Sequence, residues 1–190
     1  MKDRNMNQKQ LKSHSKYLSL ILRHQPQIAN LTLDHEGWVD VKELLKALQR
    51  KDRKITWAEL DEIVETNNKK RFAYSEDGKK IRASQGHSID VDLKLVEREP
   101  PASLYHGTAK RNLKGIMGRS LHKANRQHVH LSDNPLTAIS VGSRHGSPVV
   151  LEVNAKKMHE DGNKFYLSAN GVWLTENILP KYLQVLSKDV

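Results

Sequence analysis

From Lys69 to Ser88 the chain reads KKRFAYSEDGKKIRASQGHS, a run of cations and hydrogen-bonding side chains of the kind that grips phosphate. Arg71-Phe72-Ala73-Tyr74 and Lys80-Ile81-Arg82-Ala83 alternate on either side of a Ser75-Glu76-Asp77-Gly78 turn. A β-hairpin here would give both arginines one face and pack their neighbours on the other. Gln85-Gly86-His87-Ser88 follows, with a flexible glycine between polar side chains. A basic ribbon running into a polar corner suits a phosphate, and a solvated surface hairpin is the plain alternative. Arg23-His24 closes the first helical stretch, where the helix dipole favours cations and a capping role would also account for the pair. The chain has no Cys, which removes thiol nucleophiles, disulfides and thiolate metal sites. Its 10 His show no HExxH or comparable metal spacing.

These residues need elements to carry them. Apolar residues at helical spacing predict a helix from Gln8 to His24, ended by Gln25-Pro26. Leu31-Thr32-Leu33 reads as a short strand. Asp40 caps a helix over Val41 to Gln49, and Thr56, with Glu59 at capping-box spacing, opens another over Trp57 to Thr66. Helix, strand, helix, helix, hairpin is the order of a winged-helix module. Its third helix is acidic, however, which is the wrong sign for a helix that reads DNA, so the positive charge falls on the wing. Asp90 to Glu97 alternates as a further strand.

Glu99-Pro100-Pro101 marks the clearest boundary, dividing the chain into 1–98 and 99–190. Beyond it, Leu104 to Thr108 reads as a strand entering a Gly turn. Short helices are predicted at Asn112 to Met117 and Pro135 to Val141. Strands are predicted at Val129 to Ser132 and Pro148 to Val153, and a pair at Lys164 to Leu167 and Gly171 to Leu174. The fold class is α+β. Trp38, Trp57 and Trp173 are read as core rather than base-stacking residues.

Charge narrows the partner. Over 190 residues, 32 Lys and Arg against 22 Asp and Glu leave a formal +10, which favours a polyanion. No apolar run approaches ~18 residues and the N-terminus is polar, so a soluble cytoplasmic protein is expected, without membrane contact.

Seven segments then carry a specific likeness: Leu22-Arg23-His24, Lys70-Arg71-Phe72, Ile81 to Ser88, Tyr105-His106-Gly107-Thr108, Arg126 to Ser132, Val141 to Gly146, and Asn170-Gly171-Val172-Trp173-Leu174. In this order, and over nearly the whole chain, they resemble the KptA-type RNA 2′-phosphotransferases. The resemblance implies a winged-helix RNA lobe followed by an ADP-ribosyltransferase-like lobe that holds NAD, consumed as co-substrate. It implies removal of an internal 2′-phosphate from spliced, tRNA-like RNA. The 2′-phosphate attacks C1″ of the nicotinamide ribose and expels nicotinamide. The ribose O2″ then attacks phosphorus, releasing RNA with a free 2′-OH and ADP-ribose 1″,2″-cyclic phosphate.

Residue by residue, Arg23, Arg71 and Arg126 match the arginines that the family sets on the phosphate, and His24 matches the fourth active-site position. Guanidinium forks suit a phosphate dianion. His24 would donate a hydrogen bond or move a proton, a choice the sequence leaves open. For NAD, His106, Gly107 and Thr108 match the first cofactor strand, His130 and Ser132 the second, and Gly142 and Arg144 a segment near the pyrophosphate. Val172 stands where protein-modifying relatives of the fold carry a Glu, and Glu176 does not replace it. A missing carboxylate suits an acceptor that is itself an anion. Arginine charge would do the work of a divalent ion, so no metal is expected, and the protein is expected to be a monomer. The competing readings are an enzyme that leaves an ADP-ribose cap on nucleic-acid ends, and a winged-helix DNA-binding regulator.

Overall fold

The computed structural model describes residues 6–67 and 69–186, and the chain divides into compact units Met1–Lys94 and Leu95–Val190. The boundary expected at 98 lies just inside the second unit.

In the first unit, α1 (Gln8–Arg23) opens on a capping box. The Asn7 side chain accepts from the Gln10 amide, and the Gln10 side chain accepts from the Asn7 amide. Leu18, Ile21 and Leu22 face inward. Pro26 cannot continue the helix and starts a single 3-10 turn, Pro26–Ala29. β1 (Val39–Asp40) runs into α2 (Val41–Arg50), whose first amides bond the Asp40 side chain. α3 (Trp57–Glu65) carries the predicted Thr56/Glu59 capping box. β2 (Phe72–Tyr74) and β3 (Lys80–Ala83) form the predicted hairpin, and β1 completes the sheet on the far side of β3. Gly78, at φ 67°, sits in its turn. Cross-strand pairs Phe72/Ala83 and Tyr74/Ile81 share the inner face, where Phe72, Ile81 and Ala83 join Leu18, Leu22, Leu44 and Leu60 in one core. Each fully buried leucine contributes roughly 2 kcal/mol.

In the second unit, β4 (Ser103–Ala109) pairs antiparallel with β6 (Pro148–Asn154), which pairs with β9 (Leu183–Val185). β5 (Val129–Leu131) and β7 (Phe165–Leu167) flank β8 (Trp173–Thr175) in a second sheet. Tyr105 and Ser132 exchange backbone hydrogen bonds of 2.7 and 2.9 Å, tying β4 to β5 and so one sheet to the other. The helices are α4 (Leu113–Gly118), α5 (Pro135–Gly142) and α6 (Ala155–Glu160).

The departures from expectation have local causes. Leu31 to Leu33 forms no strand: Leu31 N–H bonds back to Pro26, and the Asp34 side chain gathers the Glu36 and Trp38 amides into a loop. Asp90 to Glu97 is likewise no strand. Val91 and Leu93 are buried as alternation predicts, but the segment joins no sheet: Asp92 N–H bonds to His35 and Glu97 makes an isolated bridge to Tyr166, without a ladder. Trp57 is 38% exposed at the start of α3, outside the core. Gly107 lies inside β4 rather than in a turn. Among the described residues, no helix is long and apolar enough to cross a membrane.

Candidate active site

In the first unit, the end of α1 and the entry to the hairpin bring Arg23, His24 and Arg71 to the lining of one groove of about 790 Å³. Each is held by a neutral group. Arg23 Nη2 donates to the Arg71 carbonyl at 3.4 Å, and Arg71 Nη1 donates to Asn67 Oδ1 at 3.0 Å. Asn67 is itself fixed on α1, its Nδ2 donating to Ser15 Oγ at 3.1 Å. His24 Nδ1 lies 2.9 Å from Ser88 Oγ, while the Ser88 amide donates to the Arg23 carbonyl at 2.9 Å. The polar corner after the hairpin therefore clamps the helix end that carries both residues. Contacts of this kind orient a cation without cancelling its charge, which is what binding an anion needs.

Behind them lies His87, 1% exposed, with neither ring nitrogen hydrogen-bonded among the described residues. Burial, followed by the charges of Arg23, His24 and Arg82, pushes its pKa down to about 4, so the ring is neutral at ordinary pH. Gly37, at φ 80°, passes close enough that a Cβ there would sit 3.5 Å from its Nε2.

Arg82 does not line the groove. Its guanidinium stacks 4.2 Å from the Trp38 ring centroid and donates to the Glu36 carbonyl at 3.2 Å. The two hairpin arginines thus divide the labour, and Trp38, expected in the core, is a platform for one of them.

In the second unit, β4 and β5 set His106, His130 and Arg126 together. His106 Nδ1 lies 3.0 Å from the His130 carbonyl, which only accepts, so Nδ1 carries the proton and a neutral ring leaves Nε2 as an acceptor. Burial lowers the His106 pKa, with Arg126 and His145 adding to the shift against the raising effect of that carbonyl. Arg126 Nη1 donates to His130 Nδ1 at 2.9 Å, which fixes the other tautomer, Nε2–H, on a neutral His130.

Of the remaining residues matched to NAD, Gly107, Gly142, Thr108 and Ser132 have structural partners in the protein itself. A Cβ on Gly107 would collide with the Ala138 carbonyl of α5, and one on Gly142 would lie 2.8 Å from the Thr108 carbonyl. Both glycines therefore let helix and strand touch. The Thr108 hydroxyl accepts from Asn112 Nδ2 at 3.2 Å, and Ser132 Oγ accepts from the Asn134 amide just ahead of α5. Arg144 is exposed in the 3-10 turn Ser143–His145. His128, read as structural, packs edge-on against Tyr166. Asn67 and Ser15 were not foreseen as site residues. Nothing in periodicity singles them out, and only their place beside Lys69-Lys70-Arg71 and on the polar side of α1 hints at them. Among the described residues, no group of three or more His, Asp or Glu is disposed to hold a metal ion.

Comparison with known proteins decides the lineage. The family model for RNA 2′-phosphotransferase, Tpt1 / KptA family, matches residues 9–177. The chain belongs to the RNA 2′-phosphotransferase family. It is 52% identical over 182 residues to a probable RNA 2′-phosphotransferase of Flavobacterium johnsoniae, covering 96% of this chain and 100% of that one. The protein of the same description from Hahella chejuensis is 52% identical over 178 residues, with 94% and 96% covered. That from Streptomyces coelicolor is 50% identical over 179 residues, with 94% and 97% covered. In this RNA 2′-phosphotransferase family member, Arg23, His24, Arg71 and Arg126 all fall within the matched span.

Proposed function

We propose that this protein is an NAD-dependent RNA 2′-phosphotransferase that clears an internal 2′-phosphate, of the tRNA splice-junction type. The observation that carries the reading is the convergence of Arg23, His24 and Arg71 on one groove, each oriented by a neutral partner. The first unit is the RNA lobe, of winged-helix type. The second is the NAD lobe, of ADP-ribosyltransferase type. The protein works as a cytoplasmic monomer.

The second unit's donors fit NAD. A buried neutral imidazole at His106 offers an acceptor to a ribose hydroxyl, and the cations Arg126 and Arg144 suit pyrophosphate. Bound there, NAD supplies an electrophilic ribose carbon with nicotinamide as leaving group.

In the reaction proposed, a 2′-phosphate oxygen forms the bond to C1″ as the C1″–N bond breaks and nicotinamide takes its electron pair. The ribose 2″-oxygen, losing its proton, then bonds phosphorus, and the RNA 2′-oxygen leaves and is protonated. Negative charge gathers on the phosphoryl oxygens in this second step, where fixed guanidinium groups lower the barrier. His24, held at Nδ1 by Ser88, is placed to donate to the phosphate or to carry one of these protons through Nε2.

The test is incubation with NAD and a short RNA bearing one internal 2′-phosphate. Loss of that phosphate with release of nicotinamide and ADP-ribose cyclic phosphate is expected. Retention of the phosphate would overturn the reading, and a stable ADP-ribosyl cap as end product would replace it with the capping activity.

A further inference from the structure

The groove that holds Arg23, His24 and Arg71 does not stop at them. It runs back along α1 past Ser19, Lys16 and Lys12 towards the start of the helix, with Lys69 on the opposite wall. No Asp or Glu is among the residues that line it. This is unusual locally, since α3 next to it is rich in carboxylates and other lysines of the unit are ion-paired, Lys79 with Asp77 and Lys80 with Asp34. Lys12 and Lys16 are exposed and make no ion pair among the described residues.

The spacing has a physical meaning. Lys12 and Lys16 are one turn apart on the same face, about 6 Å along the axis, and Lys12 to Arg23 spans about 16 Å. A helix face with cations one turn apart at Lys12 and Lys16, and a third two turns further on at Arg23, is commensurate with the repeat of phosphates along an extended single strand. Flexible lysines meet such phosphates as point charges, whereas the forked arginines meet the doubly charged monoester.

The geometry points to a second role for this groove: a track for the single-stranded RNA flanking the 2′-phosphate, with Lys16 and Lys12 on successive backbone phosphates beyond the Arg23/His24/Arg71 end. The inference rests on the functional reading above, and it assigns the track to RNA rather than to an acidic protein. Contacts of this type carry no base identity, so the enzyme would select for strand length and charge rather than for sequence.

The experiment compares wild type with Lys12→Gln/Lys16→Gln, after far-ultraviolet circular dichroism has shown the fold intact. One substrate is a dinucleotide carrying the 2′-phosphate, and the other is an oligonucleotide extended on both sides of it. Wild type is expected to favour the longer substrate at least tenfold in kcat/KM, and the variant to lose that preference. With two phosphate contacts gone, the log–log salt slope for the longer substrate should fall by about 1.4. An undiminished length preference in the variant, or none in the wild type, would overturn the track. Fluorescence anisotropy with the same oligonucleotide lacking its 2′-phosphate keeps the two readings apart. If wild type removes no 2′-phosphate from any substrate, the functional reading fails. Weaker, less salt-sensitive binding by the variant would then still establish the track, and identical binding would refute it.

Discussion

The two polar clusters, one in each unit, are built on opposite principles. In the first unit Arg23 and Arg71 are aimed by an amide and a backbone carbonyl, contacts that leave their charge available. In the second, burial, with Arg126 and His145 nearby, lowers the His106 pKa, the His130 carbonyl sets its tautomer, and Arg126 spends a donor on the imidazole of His130. Side chains bonded to side chains and to a carbonyl make the first cluster, while main chain pressed against main chain frames the second, where Gly107 and Gly142 let α5 lie on β4. A cluster of arginines oriented by an amide and a carbonyl is suited to a phosphate dianion. A neutral imidazole pair beside a cation is suited to a sugar whose anomeric carbon becomes positive, since it adds little repulsion. Sequence conveys the residue types at both places, yet only the structure separates the charge-presenting site from the charge-tolerant one.

The largest effect expected from breaking this contrast is on the second unit. Gly107→Ala places a methyl against the Ala138 carbonyl, backbone that cannot yield, and should unfold that unit, as near-ultraviolet circular dichroism and limited proteolysis would reveal. Gly78→Ala, in open space at φ 67°, should cost the first unit only about 1 kcal/mol. Equal losses would mean that main-chain contact does not frame the second site.

His87 sharpens the comparison from the other side. Its pKa is about 4 in the folded protein against an ordinary 6.5, so above pH 6.5 it is neutral in both states and contributes no pH dependence. As pH falls from 6.5 towards 4, the unfolded chain takes up the proton first and stability declines by roughly 3 kcal/mol. Denaturant titrations across this window should show that slope in wild type and a flatter one in His87→Gln. Parallel slopes would show that His87 is not the group responsible.

What the sequence made legible and what it hid follow the same physics. Asp40 and Thr56 announce their helices because a cap is a local bond, and Phe72, Ile81 and Ala83 announce the hairpin core because alternation is local too. Asp90 to Glu97 misled because alternation reports burial and not a partner strand. α6 and β9 were missed, being short and held by neighbours distant in sequence. The family likeness singles out Arg23, His24, Arg71 and Arg126, and of these Arg23, His24 and Arg71 share one groove. Asn67 was not legible, since an asparagine before a basic run looks like any loop residue until Ser15 and Arg71 are found bonded to it.

That bridge gives a smaller prediction. Asn67→Ala frees the Arg71 fork from α1 and should lower kcat/KM on 2′-phosphorylated RNA about tenfold, the low end of what one hydrogen bond from a charged group contributes, while leaving the KM for NAD in place. A matching rise in the KM for NAD would mean that Asn67 acts on the fold and not on the arginine. The smallest effect is expected from chelation. If arginine charge compensates the phosphate, removing divalent ions should leave turnover unchanged, and full loss restored by magnesium alone would contradict it.

The central claim is that the charge-presenting residues serve the phosphoryl step and the neutral imidazole serves the step at the ribose. A time course with labelled 2′-phosphorylated RNA, resolving substrate, ADP-ribosylated intermediate and product, tests it most directly. Arg71→Ala should slow the second step by roughly 10²–10³, as loss of an oxyanion donor does, so that the intermediate accumulates. His106→Ala should slow formation of the intermediate and build up none. If Arg71→Ala loses the first step as severely as the second and no intermediate appears, the division between the two sites is wrong.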